Sequence, residues 1–161
     1  RQVDIVISEF ISRYNTYVQA HPDTLAKVEV TELHTDVRRG IGHMPLESGL
    51  IVPDQTRYTF IHFNGIGDNA HESFIFPPRS NGYGQPEDKH HFEFTKTNYK
   101  PYDQCVTAFM LIAKEHLKDH IILKSDGGTG DWIKGNEMAG NYDVDAMTKI
   151  LTLDFDREVE Q

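Results

Sequence analysis

Apolar residues recur every three or four positions over residues 3–18, which is the spacing of a helix with one buried face. We expect this helix to stop at His21 and Pro22. The face is predicted to pack in the core, while the same spacing also allows a homodimer formed through this helix. The stripe consists of Val3, Ile7, Phe10, Tyr14 and Tyr17.

A second apolar stripe predicts a helix that begins at Pro101. Proline suits the first helical position, because the N–H that it lacks would have no partner there. Asp103 suits the positive end of the helix dipole, and basic residues and histidines lie near the other end, at Lys118. The wide stripe predicts a helix covered on most sides: Tyr102, Cys105, Val106, Phe109, Ile112, Ala113 and Leu117.

Alternating apolar and polar residues predict strands between these helices, over residues 27–37, 57–63, 72–76 and 91–97. The Gly-, Asn- and Asp-rich residues 64–69 predict that the second and third strands form a hairpin. In the second strand we assign Tyr58, Phe60 and His62 to one face, and Thr59, Ile61 and Phe63 to the other.

The remaining segments are predicted to be loops, apart from a short buried strand at residues 121–124 and a final helix or strand after Asp143. Residues 38–54 and 80–88 are rich in Gly and Pro, and the first of these loops is long enough to be a candidate for function. This order predicts an α+β fold in a single domain spanning residues 1–161. Its mostly antiparallel, single-layer sheet of four or five strands packs against two or three helices.

Charge and cysteine content argue against several classes of protein, namely nucleic-acid binders, membrane-spanning proteins and disulfide-bonded scaffolds. The net charge is −9, and residues 119–161 hold ten acidic and four basic residues. Nucleic-acid binding is not expected, because it favours clustered Lys and Arg, and no apolar stretch approaches the length of a membrane span. The single Cys105 excludes an internal disulfide and favours a reducing, cytoplasmic location.

The central strands hold the residues that we select as candidate catalytic groups: His71, Glu72, His91 and Glu93. A histidine accepts a proton near neutral pH, and a carboxylate can orient it. No serine lies in a nucleophile elbow, and Cys105 lies on an apolar helix face, where a thiol is usually inert.

Nine histidines invite a test for a metal site. His116 and His120 have the chelating i, i+4 spacing, but the helix is expected to end between them. A composite site of His62, His71 and His91 requires a strand register that brings them together. Hydrogen-bonded or surface histidines are therefore the preferred interpretation, and no metal or cofactor is assigned.

The stretch around Trp132 supplies the candidate binding residues Asp126, Asp131 and Trp132. If exposed among glycines and carboxylates, the only tryptophan would suit ligand or partner contact, although an ordinary core tryptophan is the preferred interpretation. Residues 64–68 and 126–131 lack the complete dinucleotide, phosphate-loop and calcium-loop patterns, so we interpret both as turns.

Two functions therefore follow as hypotheses. The first is an acidic domain that binds a ligand or a basic protein partner, as an inhibitor or immunity protein does, because negative charge speeds association with a basic surface. The alternative is a metal- or histidine-dependent hydrolase with its site on the central strands.

Overall fold

The computed structural model describes residues 2–36, 57–77, 100–118 and 129–140, which form three helices and one three-stranded antiparallel sheet. The α+β class with a single antiparallel sheet is confirmed. The strands predicted at residues 91–97 and 121–124 and the terminal element lie outside the described residues, so the larger strand count and the single domain stay predictions. The elements are α1 (Gln2–Ala20), β1 (Val28–Thr35), β2 (Tyr58–Gly65), β3 (Phe74–Phe76), α2 (Asp103–Leu117) and α3 (Thr129–Ala139).

Aromatic side chains join α1 and α2 to one face of the sheet, whose strand order is β1-β2-β3. The ring of Phe109 on α2 lies 5.0 Å from Phe10 of α1, and 4.9 Å from both Phe74 and Phe76 of β3. Phe10 also stacks on Phe63 of β2, with ring centroids 5.3 Å apart. Such contacts add to the free energy gained by burying the rings themselves. Both predicted helical stripes are therefore confirmed as core.

The stripe of α1 is buried inside the chain itself, where Ile7, Phe10 and Tyr14 are fully inaccessible. Its apolar spacing is explained without a homodimer, so the stripe no longer indicates one. Tyr14 also accepts a hydrogen bond from Val28 N, 3.0 Å away, which anchors the start of β1. Burial raises the pKa of the Tyr14 hydroxyl above its usual value.

Helix α2 begins two residues later than predicted, at Asp103, because Pro101 and Tyr102 form a turn that leads into it. Asp103 lies in the first turn, as expected from the helix dipole. Cys105 is fully buried, and its thiol contacts the carbonyl oxygen of Ala26 at 2.9 Å. Burial raises the pKa of this thiol, which agrees with the inert packing role expected for it.

The prediction that residues 126–131 form a turn is wrong for residues 129–131, because residues 129–139 form α3. Two glycines in this helix lower its intrinsic propensity, so tertiary packing must supply its stability. Trp132 is only 2% exposed and belongs to the core. A Cβ at Gly135 would lie 2.0 Å from Thr107 Oγ1, so the absence of a side chain there lets α3 approach α2 closely.

Candidate functional site

The face of the sheet opposite α1 and α2 carries polar side chains at its centre. Glu32 and His34 of β1 and His62 of β2 are all half-buried, whereas their neighbours Leu33 and Ile61 are buried in the core. Adjacent residues of a strand point to opposite faces, which explains the division. We call Glu32, His34 and His62 the Glu-His cluster.

A β-bulge in β1 places Glu32 on this face. Val30 pairs with Phe63 and Glu32 pairs with His62, so Thr31 is an extra residue without a partner in the ladder. Regular alternation from the buried Val30 would point Glu32 into the core, where an ionised carboxylate is costly. The extra residue reverses the alternation, and the Thr31 hydroxyl donates a hydrogen bond to the carbonyl oxygen of His62 at 3.1 Å.

A second register shift, in β2, restores the original pairing. His34 pairs with Phe60 and Thr35 pairs with Tyr58, which leaves Thr59 as the extra residue. Thr59 is exposed and Tyr58 joins the core cluster. The prediction that Tyr58 shares a face with Phe60 and His62 is therefore wrong, because regular alternation cannot account for a bulge. The two bulges enclose the segment that holds the Glu-His cluster.

The carboxylate of Glu32 holds both histidines of the cluster. Its Oε1 lies 3.0 Å from His62 Nδ1, and its Oε2 lies 3.0 Å from His34 Nε2. Both are charge-assisted hydrogen bonds, which are stronger than bonds between neutral groups. Within the described residues, His62 Nε2 and His34 Nδ1 have no hydrogen-bond partner. Glu32 therefore fixes the orientation of both imidazole rings of the cluster.

Apolar and polar neighbours extend this surface in both directions. Phe60 is 8% exposed, and its ring centroid lies 4.9 Å from that of His34. Ile75 of β3 pairs with His62 and is half-buried. The exposed Glu29 and the half-buried Asn64 pair with each other beyond the Glu-His cluster. Among the described residues, this surface thus combines one apolar edge with the carboxylates of Glu29 and Glu32.

Asn64 also organises the loop that contains the predicted catalytic residues His71 and Glu72. Its amide donates to the carbonyl oxygen of His71 at 2.9 Å, and its Oδ1 accepts from His71 N at 3.1 Å. The Tyr102 hydroxyl of the turn before α2 donates to the carbonyl oxygen of Glu72. Burial and the nearby charge of Glu72 raise the pKa of Tyr102 to about 12. These contacts use the backbone, and the side chains of His71 and Glu72 are exposed.

The other predicted site residues fare differently. His91, Glu93 and Asp126 lie outside the described residues, so their juxtaposition with His71 and Glu72 stays a prediction. Asp131 lies in α3, and its side chain is likewise outside the description. The structure corrects the interpretation of Trp132 as an exposed contact residue, because its indole is needed to fill the core beside α3.

No metal site emerges from the part of the chain that the structure describes, since no three His, Cys, Asp or Glu residues there are placed to hold an ion. His62 and His71 are both described, and His91 lies outside, so the composite site is not assembled from described residues. His116 pairs instead with Glu9, its Nε2 lying 3.0 Å from the carboxylate, and it joins α2 to α1.

Comparison with known proteins adds no family to this picture: no family model, no curated protein and no solved structure matches the chain. Within the described ranges, no helix is both long enough and apolar enough to cross a membrane.

Sequence reasoning missed Glu32 and His34, although the sequence contains a signal for them. The buried apolar residues of β1 are Val28, Val30 and Leu33, and the step of three in this series marks the bulge. Glu32 lies within that irregular step, beside a histidine two residues further on. An interrupted alternation around a carboxylate and a histidine could therefore have pointed to this face.

Proposed function

We propose that this domain functions by binding, and that the face of the sheet around the Glu-His cluster contacts its ligand. The hydrogen-bonded arrangement of Glu32, His34 and His62 is the observation that carries the proposal. Two bulges interrupt the β1–β2 ladder on either side of these residues, and bulges recur where a side chain must be re-aimed for function. Preoriented polar groups also bind with less loss of side-chain entropy.

The chemistry of this face favours a basic partner. Among the residues that the structure describes, Glu29 and Glu32 are the carboxylates on it, and the chain as a whole carries a net charge of −9. Half-buried Ile75 offers apolar contact to the aliphatic part of a Lys or Arg side chain. Charge complementarity of this kind raises the association rate and weakens with salt.

Chemical-shift mapping with a basic probe tests this proposal. We expect an oligo-arginine peptide to shift the amide signals of Glu29, Glu32 and His62 in the ¹⁵N-labelled chain, with an affinity that falls as salt is added. Glu32→Gln should weaken binding, whereas Glu137→Gln should not, because Glu137 is exposed on α3, away from this face. Shifts confined to residues 119–161, or equal effects of the two variants, would contradict the proposal.

A second candidate function rests on one specific contact, the hydrogen bond from His62 Nδ1 to Glu32. A carboxylate that holds an imidazole through one nitrogen leaves the other nitrogen to accept a proton, which is the relation between a general base and its orienting group. In this function His62 is the base of a histidine-dependent hydrolase on the central strands.

A panel of ester and phosphodiester substrates at neutral pH tests the hydrolase. Turnover that is lost in both His62→Gln and Glu32→Gln, and retained in Glu137→Gln, would support it. Turnover that survives His62→Gln would exclude His62 as the base.

A further inference from the structure

The two histidines of the Glu-His cluster are held in opposite tautomers. An ionised carboxylate only accepts hydrogen bonds, so the ring nitrogen nearest to Glu32 must carry the proton in each histidine. That nitrogen is Nδ1 in His62 and Nε2 in His34. When both rings are neutral, His62 Nε2 and His34 Nδ1 are therefore hydrogen-bond acceptors.

Protonation of these rings changes the cluster in two ways while leaving its internal hydrogen bonds in place. The charge of the three side chains rises from −1 with neutral rings to +1 when both rings are protonated. Each outward ring nitrogen changes from an acceptor to a donor at the same time. An imidazole makes this change between about pH 8 and about pH 5.

The described charged and titratable groups near the cluster are few. On the same face, β1 adds Glu29, while β2 and β3 contribute Asn64 and Ile75, which do not titrate. The loop before β3 adds Asp68, His71 and Glu72, and the opposite end of the ladder adds Asp36 and Arg57. Carboxylates remain ionised across most of this pH range, so the change of charge in this range belongs to imidazole groups.

We propose that the Glu-His cluster makes binding of a basic partner dependent on pH, with the partner bound when His34 and His62 are neutral and released when they are protonated. This inference rests on the proposed binding function of the same face. A cationic side chain meets acceptor nitrogens and a negative cluster at the higher pH, and donor N–H groups and a positive cluster at the lower pH. Like charges brought together at an interface oppose association.

The affinity of the oligo-arginine peptide, measured by calorimetry at constant salt at about pH 8 and about pH 5, tests this device. The chain contains nine histidines, so the design must separate the two histidines of the cluster from the others. The double variant His34→Gln/His62→Gln removes the cluster histidines. The double variant His21→Gln/His116→Gln removes two others, which lie at the end of α1 and on α2.

We expect the wild-type chain and the His21/His116 variant to lose affinity by about tenfold or more at the lower pH, and the His34/His62 variant to lose clearly less. Circular dichroism should show that all three chains stay folded at both pH values. Equal losses in the three chains would overturn the pH device and leave the binding function standing. Absence of binding at the β1–β2 face at about pH 8 would overturn both.

Discussion

The two faces of the three-stranded sheet differ in polarity and in packing. On one face, Phe63, Phe74 and Phe76 pack against Phe10 and Phe109 of the helices. The other face carries the Glu-His cluster, which is polar and half-buried. The core face is apolar and closely packed. On the opposite face, two β-bulges interrupt the regular alternation and place a carboxylate beside two imidazoles. Substitutions on the two faces should therefore affect different properties.

The largest effect is expected on the core face, at Phe109. Phe109→Ala removes a ring that packs against Phe10, Phe63, Phe74 and Phe76, and it leaves a cavity between helix and sheet. We expect the free energy of unfolding to fall by about 3–5 kcal/mol. Urea denaturation followed by circular dichroism measures it. Ile133→Ala on α3, where the side chain is 51% exposed, is the control and should change stability by less than about 0.5 kcal/mol.

The second largest effect is expected at Gly135, where α3 packs closely against α2 and leaves no room for a side chain. Alanine favours a helix by about 1 kcal/mol over glycine, but its Cβ at this position would collide with Thr107. Gly135→Ala should therefore destabilise the fold by about 1–3 kcal/mol, in spite of the better helix former. Lys134→Ala at the exposed neighbouring position is the control. A gain in stability for Gly135→Ala would show that the helices do not approach as described.

At the core face, Tyr14→Phe should leave Val28 N without its buried partner and lower the free energy of unfolding by about 1–3 kcal/mol at neutral pH. The variant should also change the response to alkali. Burial raises the pKa of Tyr14 in the folded chain above its value of about 10 in the unfolded chain. The contribution of the neutral hydroxyl to stability is therefore complete below about pH 10 and is lost as the pH rises further.

The wild-type chain should accordingly lose roughly 1 kcal/mol more than Tyr14→Phe between about pH 7 and about pH 11. Parallel urea denaturation curves at the two pH values give this difference. Burial also raises the pKa of the Cys105 thiol. Both chains contain this thiol, so the difference between them reports the effect of Tyr14. Identical alkaline losses would mean that Tyr14 is not buried as a neutral hydroxyl.

The smallest effect on stability is expected on the polar face. Glu32→Gln removes the charge from a side chain that is 27% exposed, so we expect the free energy of unfolding to change by less than about 1 kcal/mol. The same variant should weaken binding of the oligo-arginine peptide, as described above. A stability loss as large as that of Phe109→Ala would assign Glu32 to the core architecture and would contradict the division between the two faces.

Periodicity was sufficient to predict the core face, because burial follows the repeat of the helix or strand. The stripe of α1 and the stripe around Phe109 were predicted in this way, and the turn residues between β2 and β3 added the hairpin. Helix α3 was not predicted, since its glycines suggest a turn, and only the tertiary contact with α2 explains why Gly135 is a glycine.

The candidate site was predicted only in part. The sequence pointed to the central strands and to His62 as a candidate ligand, but not to Glu32 or His34. The bulges at Thr31 and Thr59 decide which side chains meet, and they are properties of strand pairing rather than of either strand alone. Local sequence patterns therefore predicted the region of the site and not the arrangement of its groups.

The arrangement of the Glu-His cluster is tested most directly by the ring ¹⁵N chemical shifts of His34 and His62 in the labelled chain at about pH 8, which report the tautomer of each imidazole. We expect the Nδ1–H form for His62 and the Nε2–H form for His34, with both preferences weakened in Glu32→Gln. The same tautomer in both rings, or tautomers that do not respond to Glu32→Gln, would contradict this arrangement.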